Sequence, residues 1–329
     1  MPTLGTRPLT ESPPCPACGR EDIPLPLFFE ASTHSVGQVV GLSRCPSCSL
    51  HFTRPRLVDH NVSTRHAFFE EIVDKYGKDA SSGRFHKNPN YRYYLEQAER
   101  LLERNGRSRP FRVLDIGSHC GFFLRFAAER GLRVQGIEPA PALVRFAREV
   151  NGVERIEEGF FGPASYPGEK FDLVTMFDVL EHIPDPVGLL TTVREKLAEG
   201  GLFLAKVPHI QFYLKWQAPV AWLGKVGALP RYGTFATEPP TSQRMSTVPG
   251  FFDLFEHVLH YDAAGVAAVF GRAGFDRWEL LPAPPTNPEG HSFNPYRSGV
   301  FKLSHLLHRL GLPPGGLTHG LVILAWNER

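Results

Sequence analysis

Four of the five cysteines stand in two C-x-x-C knuckles, Cys15-Pro16-Ala17-Cys18 and Cys45-Pro46-Ser47-Cys48, about 26 residues apart. Each tight turn can bring two thiolates to one ion, and four protein ligands leave no open coordination position. The spacing therefore predicts a structural Zn2+ site of the zinc-ribbon type on Cys15, Cys18, Cys45 and Cys48. Disulfides or a redox pair are the alternatives. A doubled knuckle exceeds what a redox motif needs, and Met1 to Pro14 is polar and proline-rich with no apolar signal core. Such an N-terminus points to the cytoplasm, where disulfides are rare.

A second group of residues surrounds Asp115. The run Arg112-Val113-Leu114-Asp115-Ile116-Gly117-Ser118-His119-Cys120-Gly121-Phe122-Phe123-Leu124 reads as a buried strand that breaks at Gly117. It then turns through a small loop and enters a helix from about Gly121 to Arg130. A following strand, Arg133 to Ile137, ends in Glu138-Pro139. Strand, glycine turn and helix form a ligand-binding corner of a doubly wound sheet, and an acid at the tip of the second strand can accept both hydrogen bonds of a ribose diol. A dinucleotide needs G-x-G-x-x-G so that its pyrophosphate can approach the backbone. Here the middle position is His119, whose side chain stands in the phosphate path. S-adenosylmethionine (SAM) carries no phosphate. It needs an acceptor for its ammonium group and a glycine turn for its carboxylate, which Asp115, Gly117 and Gly121 can supply.

These elements are repeated by others that must position them. Phe171 to Met176 reads as a fourth strand with Phe177-Asp178 at its C-terminal tip, where open α/β sheets bind ligands. Val153 to Ile156 reads as a short third strand, Pro186 to Ala198 as a helix capped at Gly200-Gly201, and Leu202 to Val207 as a fifth strand. Tyr91 to Arg104 carries apolar residues at helical spacing and stops at Asn105-Gly106.

Val113-Leu114-Asp115-Ile116-Gly117-x-x-x-Gly121-x-x-Leu124, then Gly136-Ile137-Glu138-Pro139, then Phe171 to Pro186 with its Val179-Leu180-Glu181-His182, together resemble a class I SAM-dependent methyltransferase. The last segment is similar to small-molecule methyltransferases that include the ubiquinone-biosynthesis O-methyltransferases. The matching segments run from about Phe111 to the C-terminus. His119 departs from the family pattern, which has a glycine there. The resemblance implies an α/β fold with a Rossmann-like seven-stranded sheet, its last strand (Leu321 to Trp326) antiparallel between the fifth and the sixth (Trp278 to Leu281). It also implies SAM as cofactor, held by Asp115, Gly117, Ser118, His119, Gly121, Phe122, Glu138, Pro139, Phe160, Phe177 and Asp178. Phe160 is the candidate to flank the adenine, with plain core packing as the alternative. Tyr93 or Tyr94 could reach the cofactor carboxylate, although packing is the favoured role.

The expected organisation is a zinc-ribbon domain over residues 1–57, a helical linker or cover over 58–106, and the methyltransferase domain over 107–329. A lid insertion, about 208–256, is rich in aromatics and prolines, and loops of such length are commonly functional. Methyl transfer to oxygen or carbon benefits from a base, and histidine titrates near neutrality. His182, His209 and His257 lie near expected strand ends or the lid and are the catalytic candidates.

Composition limits the partners. Of 329 residues 42% are hydrophobic and 21% charged, with a net charge of +2, ordinary for a globular protein and too weakly basic to indicate nucleic acid. Residues 15–56 contain four arginines and no lysine, where an RNA-reading ribbon would cluster cations. No run approaches the length of a transmembrane helix. A small-molecule acceptor, such as a sugar, nucleotide-sugar, glycan precursor or secondary metabolite, is the expected partner, with nucleic acid and membrane not expected. An RNA methyltransferase, or a non-catalytic binding protein that kept the fold, are the alternative readings.

Overall fold

The structure, a computed structural model, describes residues 10–31, 39–58, 70, 73–74, 77, 88–215, 254, 257–285, 295–311 and 317–328. Most of the expected lid, and most of the expected linker before residue 88, lie outside the described residues.

The chain begins with short strands β1 (Thr10–Glu11), β2 (Phe28–Ala31), β3 (Val39–Arg44), β4 (His51–Thr53) and β5 (Arg56–Leu57). Helix α1 (Pro89–Arg104) follows, capped by the Asn88 side chain, which accepts from the Asn90 N–H. It buries Tyr94, Leu95, Ala98 and Leu102 at helical spacing, and Gly106 at φ +77° ends it where Asn105-Gly106 was expected to. Then come β6 (Arg112–Ile116), α2 (Phe122–Ala128), β7 (Arg133–Glu138), α3 (Pro141–Glu149), β8 (Ile156–Glu158), β9 (Phe171–Phe177), α4 (Pro186–Lys196) and β10 (Leu197–Pro208). The described chain ends with β11 (Leu259–His260), α5 (Ala263–Arg272), β12 (Trp278–Pro282), α6 (Pro295–Arg309) and β13 (Gly320–Trp326).

Seven strands form one sheet in the order β12-β13-β10-β9-β6-β7-β8. The strands β10, β9, β6, β7 and β8 are parallel, whereas β13 runs antiparallel to both β10 and β12. Every residue of β13, a Gly-Leu-Val-Ile-Leu-Ala-Trp run, is buried, as expected of a strand covered on both faces. The chain order of this sheet is the one the family resemblance implied.

Two boundaries differ from expectation. The third strand starts at Ile156, because Val153 still closes helix α3 through its N–H to the Ala147 carbonyl at 2.9 Å. Gly200-Gly201 does not cap α4. Strand β10 already begins at Leu197, paired with Phe171, and the two glycines form an irregularity before the register resumes at Leu202.

A second sheet, in the order β11-β4-β3-β2, joins the cysteine-bearing segment to the rest of the chain. Leu259 pairs with Phe52 and His260 with His51. The Thr53 N–H donates to Val258 O at 3.0 Å and its hydroxyl to His257 O at 2.7 Å. Cys45, Leu50 and Phe52 share one buried cluster with Val258, Tyr261, Val266 and the β9–β10 core.

Candidate functional site around the C-terminal strand ends

Strand β6 leaves the sheet at Ile116, and the loop turns on Gly117 at φ +70°. A Cβ there would stand 2.5 Å from Val179 Cγ2, so the position excludes any side chain on steric and conformational grounds. The N–H groups of Gly117 and Ser118 both point at the Ile137 carbonyl, at 2.9 and 3.2 Å. Gly121, also left-handed, lets α2 approach Ala147 and Val153, each 3.0 Å from where its Cβ would lie. His119 takes φ +52°, a conformation that glycine adopts readily and that costs other residues energy. Burial pushes its imidazole down to about 4, so it is neutral at physiological pH.

Glu138, at the tip of β7, is buried and holds the loop. Its Oε2 accepts from the His119 N–H at 2.9 Å and its Oε1 from the Ala140 N–H at 3.0 Å. Burial raises its carboxyl while these two N–H groups oppose the rise. Asp115 is buried inside the last turn of β6 and accepts from the Thr175 hydroxyl at 2.6 Å. Burial, opposed by Thr175 and reinforced by Glu138, pushes its carboxyl up to about 7. No described cation pairs with it.

The other expected SAM residues are distributed around this corner. The Ser118 hydroxyl is buried without a partner and lies against Gly136. Phe122 packs edge-on against Phe146 at 5.9 Å, and Pro139 is half-buried between Glu138 and α3. Phe160, beyond β8, is 62% exposed, which excludes core packing and leaves its ring face open to a ligand. Phe177 closes the opposite side by stacking on Tyr94 at 5.0 Å and meeting Phe123 at 4.9 Å. Tyr93 turns away from this corner and packs on Phe301 of α6 at 5.5 Å.

Next to Phe177, Asp178 is exposed at φ +55°. Lys206, opposite it on β10, donates from Nζ to Asp178 Oδ1, and the Asp178 N–H donates to Lys206 O at 3.0 Å. A short 3-10 turn, Leu180–His182, then brings Glu181, His182 and His257 together, with ligand-capable atoms all within 4.8 Å of one another. The two imidazole centroids are 4.8 Å apart. His209 is not in this cluster. It is buried beyond β10, where burial, partly offset by Asp262, lowers its imidazole to about 4. A base that is already neutral yet so reluctant to take a proton suits catalysis poorly.

Two residues of this corner were not singled out from sequence. Lys206 had a signal: it is the lone charge in the apolar run Leu202 to Pro208. Glu181 stood in the Val179-Leu180-Glu181-His182 run, but nothing in that run told that its carboxyl would be buried.

The cysteine sulfurs converge as the knuckles require. Cys15 Sγ is 3.5 Å from Cys48 Sγ and Cys18 Sγ is 3.6 Å from Cys45 Sγ. A tetrahedron with metal–sulfur bonds of ~2.3 Å has edges of ~3.8 Å, and disulfide sulfurs would sit at ~2.0 Å. The two knuckles are built alike, with Gly19 N–H donating to Cys15 O and Ser49 N–H to Cys45 O, both at 2.9 Å. Burial raises the Cys15 thiol and pushes Cys48 up to about 11, whereas at Cys45 burial is outweighed by the N–H groups of Cys48 and Ser47, which bring it down to about 7.

The strand order, the glycine turn between two buried acids and the Val179-Leu180-Glu181-His182 turn define a class I SAM-dependent methyltransferase. A family model for the methyltransferase domain matches residues 86–280, well over half of the chain, and the chain belongs to that family. A curated relative, the ubiquinone biosynthesis O-methyltransferase of Xanthomonas campestris pv. campestris (strain B100), is 37% identical over 101 residues, 29% of this chain. The ubiquinone biosynthesis O-methyltransferase of Histophilus somni (strain 2336) is 29% identical over 120 residues. The chain spans only 42% and 47% of the length of these two relatives. Among solved structures, a SAM-dependent methyltransferase from Thermotoga maritima, described as a possible histamine N-methyltransferase, is similar at a TM-score of 0.42 with 15% identity. That match covers 79% of this chain and 97% of the other. A SAM-dependent methyltransferase from Mesorhizobium loti gives 0.40 with 21% identity, covering 66% and 91%.

Proposed function

We propose that this chain methylates an oxygen or carbon of a small molecule, a sugar, nucleotide-sugar, glycan precursor or secondary metabolite, with SAM as methyl donor. The observation that carries the reading is the buried, cation-free Asp115 facing a glycine turn, with Glu138 at the next strand tip. The residues fit the cofactor. Asp115 would take the ammonium group, the Gly117 turn would admit the carboxylate, Glu138 would accept from the ribose and Phe160 would cover the adenine. Bound SAM supplies a methyl group already activated by the positive charge on sulfur. The protein has mainly to hold the acceptor at attack distance.

The acceptor side is the corner beyond β9 and β10. Asp178 is exposed there and His182 and His257 are half-buried, with Glu181 buried among them, and the hydroxyls of Tyr213 and Tyr261 lie near enough to Glu181 for its charge to be felt. A wall so rich in hydrogen-bonding groups suits a hydroxylated acceptor better than a bare hydrocarbon. The names of the curated relatives favour oxygen as the methylated atom. Structural zinc on the four cysteines completes the proposal, with the ribbon serving the fold and the rim of the acceptor site.

The test is methyl-labelled SAM incubated with the purified chain and an extract of its source, fractionated into small molecules, lipid-linked glycans, protein and RNA. Label in the small-molecule or glycan fraction is expected. Label in RNA would overturn the reading and make the ribbon a nucleic-acid reader, a role that would show a steep salt dependence.

A further inference from the structure

Helix α6 (Pro295–Arg309) presents its amphipathic pattern inverted. A surface helix ordinarily turns its apolar stripe inward and its polar face to water. Here Ser304 is turned inward, 2% exposed, and Phe301 and His305 pack on Tyr93 of α1 at 5.5 and 6.1 Å. His308 meets Glu279 of β12 at 3.4 Å. Leu303, Leu306 and, one residue past the helix, Leu310 are turned outward, 51%, 53% and 69% exposed. Their spacing of three and four residues sets them on one face. An apolar stripe held in water on a helix that buries a serine marks a contact surface.

The same face is cationic. Lys302 stands four positions before Leu306 and Arg309 three after it, and both are exposed. Burial lowers the His305 imidazole, and His308, Arg309 and Arg100 of α1 lower it further, so positive groups converge at this helix. From Gly290 to Asn327 the sequence has no aspartate or glutamate. Two copies of the chain meeting through this face would oppose like charges. Three leucines also fall short of the ~800 Å2 that each partner of a standard protein interface buries. An anionic bilayer meets both demands from one side, with headgroups for the cations and an acyl boundary ~5–10 Å deep for the leucines.

We propose that α6 is a peripheral membrane anchor. It lies in the plane of an anionic lipid surface, with Leu303, Leu306 and Leu310 inserted and Lys302 and Arg309 on the lipid phosphates. No described helix is long and apolar enough to cross a membrane, so the contact stays on the surface. A spanning run, whose absence from the sequence argued against a membrane, is not needed for such a contact. The anchor leaves the cofactor corner free. Helix α6 packs on β12, at one edge of the sheet, whereas Asp115 and Glu138 stand at the tips of β6 and β7, beyond β13, β10 and β9. The inference goes beyond the methyl-transfer reading and does not depend on it. Joined to that reading, it favours an acceptor borne on a lipid, which would reach the enzyme in the plane of the membrane.

The experiment floats the full-length, zinc-loaded chain with vesicles of phosphatidylcholine alone or of equal parts phosphatidylcholine and phosphatidylglycerol. Wild type should float with the mixed vesicles, not with the neutral ones, and high salt should release it. The triple variant Leu303→Ser, Leu306→Ser, Leu310→Ser should bind the mixed vesicles at least about tenfold more weakly. The pair Lys302→Glu, Arg309→Glu should also lose at least about tenfold, on a scale of roughly fivefold per cation, and serves if the leucine variant does not fold. Wild type that stays with neither vesicle, or binding that survives both folded variants, would overturn the proposal. So would a dimer in sedimentation equilibrium that the leucine variant abolishes, because the face would then belong to a second copy of the chain. SAM calorimetry on the same samples keeps the two claims apart: a chain that floats yet binds no SAM retains its anchor and loses the methyl-transfer reading.

Discussion

Asp115→Asn should make the protein more stable above neutral pH while removing its affinity for SAM. The carboxyl is buried, and burial, opposed by the Thr175 hydroxyl and reinforced by Glu138, moves it from 3.8 to about 7. In the unfolded chain it ionises near its ordinary value, so between those two pH values the folded state holds the proton more tightly. Stability from this group is therefore greatest below the ordinary value and declines as pH rises through about 7. At ~1.4 kcal/mol per pH unit the full penalty is on the order of 4 kcal/mol at pH 8, and somewhat over a third of it is already present at pH 5. Asparagine carries no charge at any pH and keeps an acceptor for Thr175. Urea unfolding of the SAM-free, zinc-loaded proteins should show the variant gaining on wild type by about 2–3 kcal/mol between pH 5 and pH 8. Calorimetry should show SAM binding lost in the variant. In wild type it should be tighter at pH 8 than at pH 6, because the ligand's ammonium group favours the ionised carboxylate. A variant with the same pH dependence of stability as wild type, or one that still binds SAM, would refute the assignment of Asp115.

Two further substitutions test the frame around that site. Gly117→Ala places a methyl 2.5 Å from Val179 Cγ2 at φ +70°; it should cost about 1–2 kcal/mol from the left-handed backbone alone, lower the melting temperature and weaken SAM binding at least tenfold by calorimetry. Cys45→Ser should reduce zinc from one equivalent to well below one by elemental analysis, and thermal unfolding should shift as one transition, because Cys45 belongs to the same buried cluster as β9 and β10. Separate ribbon and methyltransferase transitions would contradict that shared core.

What was legible in the sequence is what local chemistry dictates. Gly117 and the acids at Asp115 and Glu138 announce a strand–turn–helix corner because few other residue types satisfy its backbone and its ligand. The convergence of the knuckles was legible for a similar reason, since two C-x-x-C turns can bring four sulfurs to one point. Strand β8 was placed three residues early because Val153 is as apolar as a strand residue, yet its N–H is already committed to the end of α3. Gly200-Gly201 resembled a helix cap since glycine serves a cap and a strand irregularity equally well. The placement of Phe160 could not be read from its type: an aromatic after a short strand suits core and ligand alike, and its exposure speaks only against the core.

The least legible feature is the union of the two ends of the chain. Residues 259–260 complete the ribbon sheet by pairing with His51 and Phe52, more than two hundred positions away. A two-residue strand carries no periodicity by which the sequence could reveal its partner. Its consequence is chemical as well as structural. The strand that Thr53 anchors, through His257 O and Val258 O, is the one that holds His257 against His182. A metal on the four cysteines would fix the knuckles, which lead into β3 and β4, and β4 anchors the segment that carries His257. The cysteine-bearing segment is linked to the turn that carries His182 through backbone hydrogen bonds, Thr53 N–H to Val258 O and Val258 N–H to Glu181 O. Loss of the metal should therefore loosen the His182–His257 pair before it disturbs the glycine turn at Gly117, which β6 and β7 hold independently.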